Sequence, residues 1–400
     1  MLYGIVAATT AFLLAAFLAA LIRPCALRLG LVDRRRTRRV PALGGLAVAG
    51  ATCVVAFAGD WTGVAPLGTG VGKLLAAGGA VALLGVVADV WRLKTRFLLF
   101  GTAVAAACVV PYGEFGTAGG LLGAGWIAFV AVAFKGLDHA DGLAGTVGVV
   151  TAFGAGACAA AEVMDGLAAL LSVLAAALTG FLMHNWAPAR IALGATGSLF
   201  TGFVLAAAAL VTRTGYDPAA SAGVLFALTA VASADVLLVV LSRVLAGRPV
   251  LRRGPDHLAH RLRRLGLTSQ GATVVLGAAS FAGVLPAVLV HTGWTGPAAV
   301  AWAVGVTLVV VLGLLGVPVY GPRRPTGAHT IGRQTVGRQT DVPTGRRQTG
   351  VHVSGRHGQL SETMRRADHH SPRRPPEYSA PHPRQPAYVR ISAPARVRNG

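Results

Sequence analysis

The sequence has 400 residues, 54% hydrophobic and 13% charged, with a net charge of +21. Its mean hydropathy is +0.62, and its charged share is about half the roughly 25% usual for globular proteins. These values exclude a soluble globular protein: so apolar a chain needs a bilayer as solvent.

Uncharged segments of membrane-crossing length recur along the chain. The first, Leu2 to Ile22, has no basic stretch before it and is too long for a signal peptide, so it is read as an uncleaved helix. Pro41 to Gly59 follows, then segments at roughly 68–88, 97–113, 115–134, 142–161, 166–184 and 197–212. Residues 218–242 form another, interrupted only by Asp235. No Lys, Arg, Asp or Glu occurs between Leu265 and Tyr320, a stretch that makes two spans with a break at His291 to Gly296. The expected fold class is therefore all-α, a polytopic transmembrane bundle of about eleven spans over residues 1–320. The Gly and Ala content of the spans predicts close helix packing. From about Pro322 the composition turns to Arg, Pro, Gly, Thr, Gln and His without apolar periodicity, so residues 321–400 are predicted to be a disordered basic tail.

The charges fix an orientation. With eleven spans and the N-terminus outside, the inner loops hold 19 basic residues and the outer loops two, Lys73 and Arg213. The positive-inside rule then places the tail in the cytoplasm. The expected location of the chain is the cell inner (plasma) membrane. On the same reading Asp33, Asp89, Asp138, Asp141 and Asp256 lie on the inner side, beside the arginines. Membrane-facing charge rules do not ask for these acids, whereas a site for a metal and phosphates does.

Five segments on that face carry the chemistry. Asp33 to Gly45 sets Arg34, Arg35, Arg36, Arg38 and Arg39 before a Pro and a Gly pair that opens a helix, a phosphate-friendly arrangement. Asp89 stands at the inner end of a span, where a carboxylate is a functional candidate. Lys135 to Gly145 contains Asp138 and Asp141, three apart and so on one helical face or one turn. Such a pair suits a hard cation or an amine donor. Asn185 to Ser198 includes Arg190 and the small residues Gly194, Gly197 and Ser198, suited to close approach of an anion. Asp256 to Gly266 brings His257 and His260 onto one face among arginines, a pattern that also fits a basic interfacial helix.

In this order and on one face, these segments resemble the polyprenyl-phosphate N-acetylhexosamine-1-phosphate transferases. The closest stretches are Pro41 to Gly45, Asp141 to Gly145, Asn185 to Ile191 with Gly197 and Ser198, and Arg261 to Leu267. Asp235 and Arg243 also sit where the family has an Asp and an Arg. The resemblance covers about residues 1–320. It implies transfer of a sugar 1-phosphate from a UDP-sugar to a polyprenyl phosphate, with release of UMP and with Mg²⁺ as cofactor. The partners it implies are the lipid phosphate, the UDP-sugar, the membrane and a second copy of the chain; nucleic acid is not among them. By the same resemblance Asp89, Asp138, His257 and His260 are catalytic candidates, with Asp89 and Asp138 holding the metal. Arg38, Asp141, Gly142, Asn185, Arg190, Gly197 and Ser198 are candidates for binding the nucleotide sugar and lipid phosphate. The sequence departs from the family pattern at five positions: Ala88 and Ala195 replace carboxylates, Ala259 replaces a His, and Lys135 before Asp138 and His139 after it stand in place of Asn and Gly. Loss of two carboxylates also leaves room for a member that binds lipid phosphate or nucleotide as a partner or regulator. An intramembrane transporter, suggested by Asp235, fits less well, since the polar residues cluster at the surface and not at the midplane.

Overall fold

A computed structural model of the protein describes residues 2–33, 40–91, 93–249 and 254–319. The expected tail, 321–400, and the arginine cluster with Arg38 lie outside the described residues. The described chain is helical: α1 (Leu2–Arg28), α2 (Gly45–Trp61), α3 (Gly68–Trp91), α4 (Thr95–Ala107), α5 (Tyr112–Leu137), α6 (Leu143–Ala161) and α7 (Asp165–Asn185). These are followed by α8 (Gly194–Val211), α9 (Pro218–Leu228), α10 (Ala230–Leu245), α11 (Leu258–Arg264), α12 (Ser269–His291) and α13 (Ala298–Leu315). One short antiparallel ladder pairs Val32 with Pro41 and Asp33 with Val40.

Among the described residues the expected eleven spans become eight, or nine if α9 and α10 count as one span bent by 85°. The apolar segments are where the sequence puts them, but two are short. Helix α2 has 17 residues and α4 has 13. At about 1.5 Å rise per residue they reach roughly 26 and 20 Å, against a hydrocarbon core of about 30 Å. Hydropathy over 97–113 counts the turn at Cys108 to Val110 as helix, although the regular structure stops at Ala107.

Apolar side chains fill the interior and also cover much of the exterior. Helix α8 lies at the centre, with every residue from Gly194 to Leu210 buried. Helix α13 is apolar all round, yet Trp302, Val309 and Leu312 stand exposed on it. That is the surface a lipid-facing helix presents. Glycines set how closely α8 is approached. A Cβ on Gly45 would fall 1.9 Å from the Gly197 amide nitrogen, and one on Gly85 would fall 2.4 Å from the Thr196 Cα. Helices α2 and α3 therefore reach the first turn of α8 backbone to backbone, as small residues permit.

Candidate functional site

The N-terminus of α8 organises one end of the bundle. The amide of a helix's first turn has no partner within the helix, and Leu193, which precedes α8, supplies no side-chain cap. Two carboxylates from other helices do so instead. The Gly194 N–H donates to Asp138 Oδ2 at 2.9 Å, and the Ala195 N–H donates to Asp89 Oδ1 at 2.8 Å. The Thr196 N–H and hydroxyl both donate to Asp89 Oδ2, at 3.0 and 2.8 Å. Negative charge at this position is also favoured by the helix dipole. Asp89 and Asp138, far apart in sequence, thus sit on consecutive backbone amides. Lys135, one turn before Asp138, is close enough to act on the Asp89 charge.

The loop between α7 and α8 is tied down by the other motif residues. Asn185 accepts from the Gly142 N–H at 3.0 Å and donates to the Ile191 carbonyl at 2.8 Å. Gly142 has φ +73°, a left-handed conformation that glycine supplies at least strain. Asp141 accepts from the Ala189 N–H at 2.9 Å. From the other side Ala192 donates to the Pro41 carbonyl at 2.8 Å, while Gly44 and Gly45 donate to the carbonyls of Ala192 and Leu193 at 3.0 and 2.8 Å. The Ser198 hydroxyl turns back onto the Gly194 carbonyl. Arg190 is exposed at the rim.

The sequence-selected residues therefore divide. Asp89, Asp138, Asp141, Gly142, Asn185, Gly197 and Ser198 meet around α8, and each has a hydrogen-bonding or packing task there. Gly197, expected to admit an anion, instead faces Gly45. Ala88 and Ala195 are buried in the apolar core, 8% and 5% exposed. Mg²⁺ fits this set poorly. A carboxylate offers about four acceptor positions, Asp89 gives three of them to α8, and Ala195 offers no ligand.

A second cluster adjoins the first through the peptide that joins Asp138 to His139. His139, in the α5–α6 turn, stacks on His257 at 4.2 Å between ring centroids and on His260 at 4.8 Å. His257 Nδ1 lies 2.8 Å from Asp235 Oδ2, and Asp235 Oδ1 accepts from the Leu258 N–H at 2.8 Å. Asp235 is fully buried in α10. Burial pushes the His139 imidazole down to about 3, assisted by the neighbouring His257 charge. Burial also lowers His260. It acts on His257 too, but the Asp235 carboxylate outweighs it and holds His257 above its ordinary range. The motifs point to His257 and His260 as site residues; His139, a histidine between two motif aspartates, and Asp235, a lone charge within a span, are the weaker signals in the sequence.

Buried arginines frame this end. Arg243 pairs with Asp256 at 2.7 Å, both buried. Arg261, 1% exposed, donates to the carbonyls of Leu314 and Val317, both at 2.7 Å, and to the Ser242 hydroxyl. Ala259 is buried against the core. At the opposite end Arg213, expected to be one of two outer basic residues, is buried and contacts His291 at 2.9 Å.

Comparisons with known proteins agree on one family. The profile of glycosyl transferase family 4 matches residues 71–213, which takes in Asp89, Asp138, Asp141 and all of α8. A Streptomyces coelicolor protein, provisionally named a glycosyltransferase, is 65% identical over 81% of this chain and 80% of its own length. The decaprenyl-phosphate N-acetylglucosaminephosphotransferase of Mycobacterium tuberculosis is 30% identical over 67% of this chain and 77% of its own. The protein of the same name from Mycolicibacterium smegmatis is 29% identical over 80% and 89%.

Proposed function

The chain belongs to glycosyl transferase family 4, and from that premise we propose that it transfers an N-acetylhexosamine 1-phosphate from a UDP-sugar to a polyprenyl phosphate. In this reading an oxygen of the lipid phosphate attacks the sugar-bearing phosphorus, the P–O bond to UMP breaks, and a lipid-linked pyrophosphoryl sugar forms for a cell-wall or surface polysaccharide. The nucleophile is already an anion, so positioning and charge screening are the protein's tasks. The names of the relatives support the lipid acceptor and the amino sugar. The observation that carries the reading is the gathering of polar side chains from α3, the α5–α6 turn, the α7–α8 loop and the α10–α11 region at one end of an apolar bundle. A membrane-held lipid headgroup and a water-borne nucleotide can meet there. The basic residues gathered at that end, Lys135, Arg190, Arg243 and Arg261 among them, support its cytoplasmic placement in the plasma membrane, with the N-terminus outside. Arg190 and Lys135 are the cations best placed at the rim to meet phosphate.

One observation favours a second reading, in which the chain binds lipid phosphate or nucleotide without turnover. The carboxylates that would hold a hard cation cap α8 instead, and the positions of two further ones are buried alanines. Incubation of the purified chain with radiolabelled UDP-N-acetylglucosamine, decaprenyl phosphate and Mg²⁺ separates the two. Label appearing in the lipid with equimolar UMP supports the transferase. Retained nucleotide-sugar binding with no labelled lipid supports the second reading, and loss of both overturns the two together.

A further inference from the structure

We propose that His139, Asp235 and His257 form a site for a borderline divalent transition-metal ion, of which Zn²⁺ is the type case, with His260 beside it as a fourth donor. This inference goes beyond the transferase reading and does not depend on it. The donor atoms of the first three residues all lie within 4.8 Å of one another. A tetrahedral ion with bonds of about 2.0–2.1 Å sets its ligands about 3.3 Å apart, so the cluster closes around one by small side-chain rotations. Two imidazoles and a carboxylate are the donors that Zn²⁺, Co²⁺ and Ni²⁺ take, whereas Mg²⁺ and Ca²⁺ take oxygen alone.

An independent observation points to a ligand. His139 Nε2 is buried and has no hydrogen-bond partner, and the same holds for His260 Nδ1. Buried polar atoms are rarely left so. His139 Nδ1 lies 2.8 Å from the Gly136 carbonyl. Donation through Nδ1–H leaves the Nε2 lone pair free, which is how a backbone carbonyl orients a metal-ligating histidine. Asp235 is anchored by the Leu258 amide and holds its second oxygen toward His257. Within the cluster the carboxylate supplies the one negative charge that a divalent ion needs nearby, while the basic neighbour Arg243 is already paired with Asp256. His139 is also the residue by which the sequence departs from the family pattern after Asp138, so the donor set belongs to this chain's own sequence.

The test uses the full-length chain without added histidines, stripped with chelator and titrated with Co²⁺ alone. Six further histidines lie beyond residue 320, so the comparison is between the wild type and single-site variants that all carry them. The wild type should show the visible ligand-field bands of a low-symmetry site, saturating at one equivalent and displaced by Zn²⁺ but not by Mg²⁺. His139→Gln and His257→Gln should lose those bands and weaken binding more than about 100-fold, the upper range for removing a residue that merely supports a ligand. His184→Gln, outside the cluster, should keep them. Zn²⁺ should also raise the unfolding temperature of the wild type, a readout that stands even where a variant fails to fold. Unchanged bands in His139→Gln would overturn the site. So would a wild type that shows neither the bands nor a Zn²⁺-induced rise in unfolding temperature.

Discussion

Asp89→Asn tests whether the carboxylate at the end of α3 is a helix cap or a free ligand. Asp89 takes three hydrogen bonds from the first turn of α8, two on Oδ2 and one on Oδ1. The amide of asparagine can present only one oxygen, so in either orientation at least one backbone N–H faces an NH₂ group. The lost bond is charge-assisted and contributes about 1.5–3 kcal/mol. The lost negative charge at the helix N-terminus contributes about 0.3–1 kcal/mol more. Together these give a destabilisation of about 2–4 kcal/mol. The assay is thermal unfolding of purified protein in one detergent, followed by the fraction that stays monodisperse. Thr196→Val removes one of the same bonds, so the double variant should destabilise less than the sum of the singles. An Asp89→Asn protein that unfolds with the wild type while its activity falls would refute the argument. Asp89 would then be a group kept free for ligand.

Other outcomes follow from the same geometry. Gly45→Ala should prevent accumulation of folded protein, because its Cβ would meet the Gly197 nitrogen at 1.9 Å; recovery of monodisperse protein after extraction measures this. Arg261→Gln strips the Leu314 and Val317 carbonyls of their donor, so hydrogen exchange should accelerate over residues 311–319 while α8 stays protected. Ala88→Asp, which restores a family carboxylate, puts a charge at an 8% exposed core position. It should lower stability by several kcal/mol before any gain in activity can register. With chelator present, His139 contributes a pH dependence of known sign. Its folded-state pKa of about 3 lies below the unfolded value near 6.5, so the unfolded chain binds the proton first. The contribution to stability is complete above pH 6.5 and is lost as pH falls toward 3. His139→Gln should flatten that part of the unfolding-temperature profile.

The apolar segments were legible because membrane spans need long uncharged runs, and all the helices longer than 17 residues lie on them. Span count was less so: hydropathy sees composition, whereas the stop at Ala107 and the bend at Thr229 are backbone events that apolar residues do not announce. The gathering of Asp89, Asp138, Asp141, His257 and His260 was readable from their shared side of the loops. Their partners were not. Nothing in the sequence says that Asp89 is spent on amides more than a hundred residues away, or that Gly44 and Gly45 bond the carbonyls of Ala192 and Leu193. His139 appeared in the sequence as a departure from a pattern, and only its stacking against His257 gave it a place.

The contact of Gly45 with Gly197, together with the Asn185 and Asp89 bonds, bears on how such a chain can change over generations. Mutations at these positions would unfold the bundle whether or not the protein turned over a substrate. Selection for a folded membrane protein alone would hold them in place, and with them much of the pattern by which kinship is recognised. Freedom to drift belongs to exposed positions such as Arg190, which can change without disturbing α8. Inheritance of the scaffold is written in the glycines.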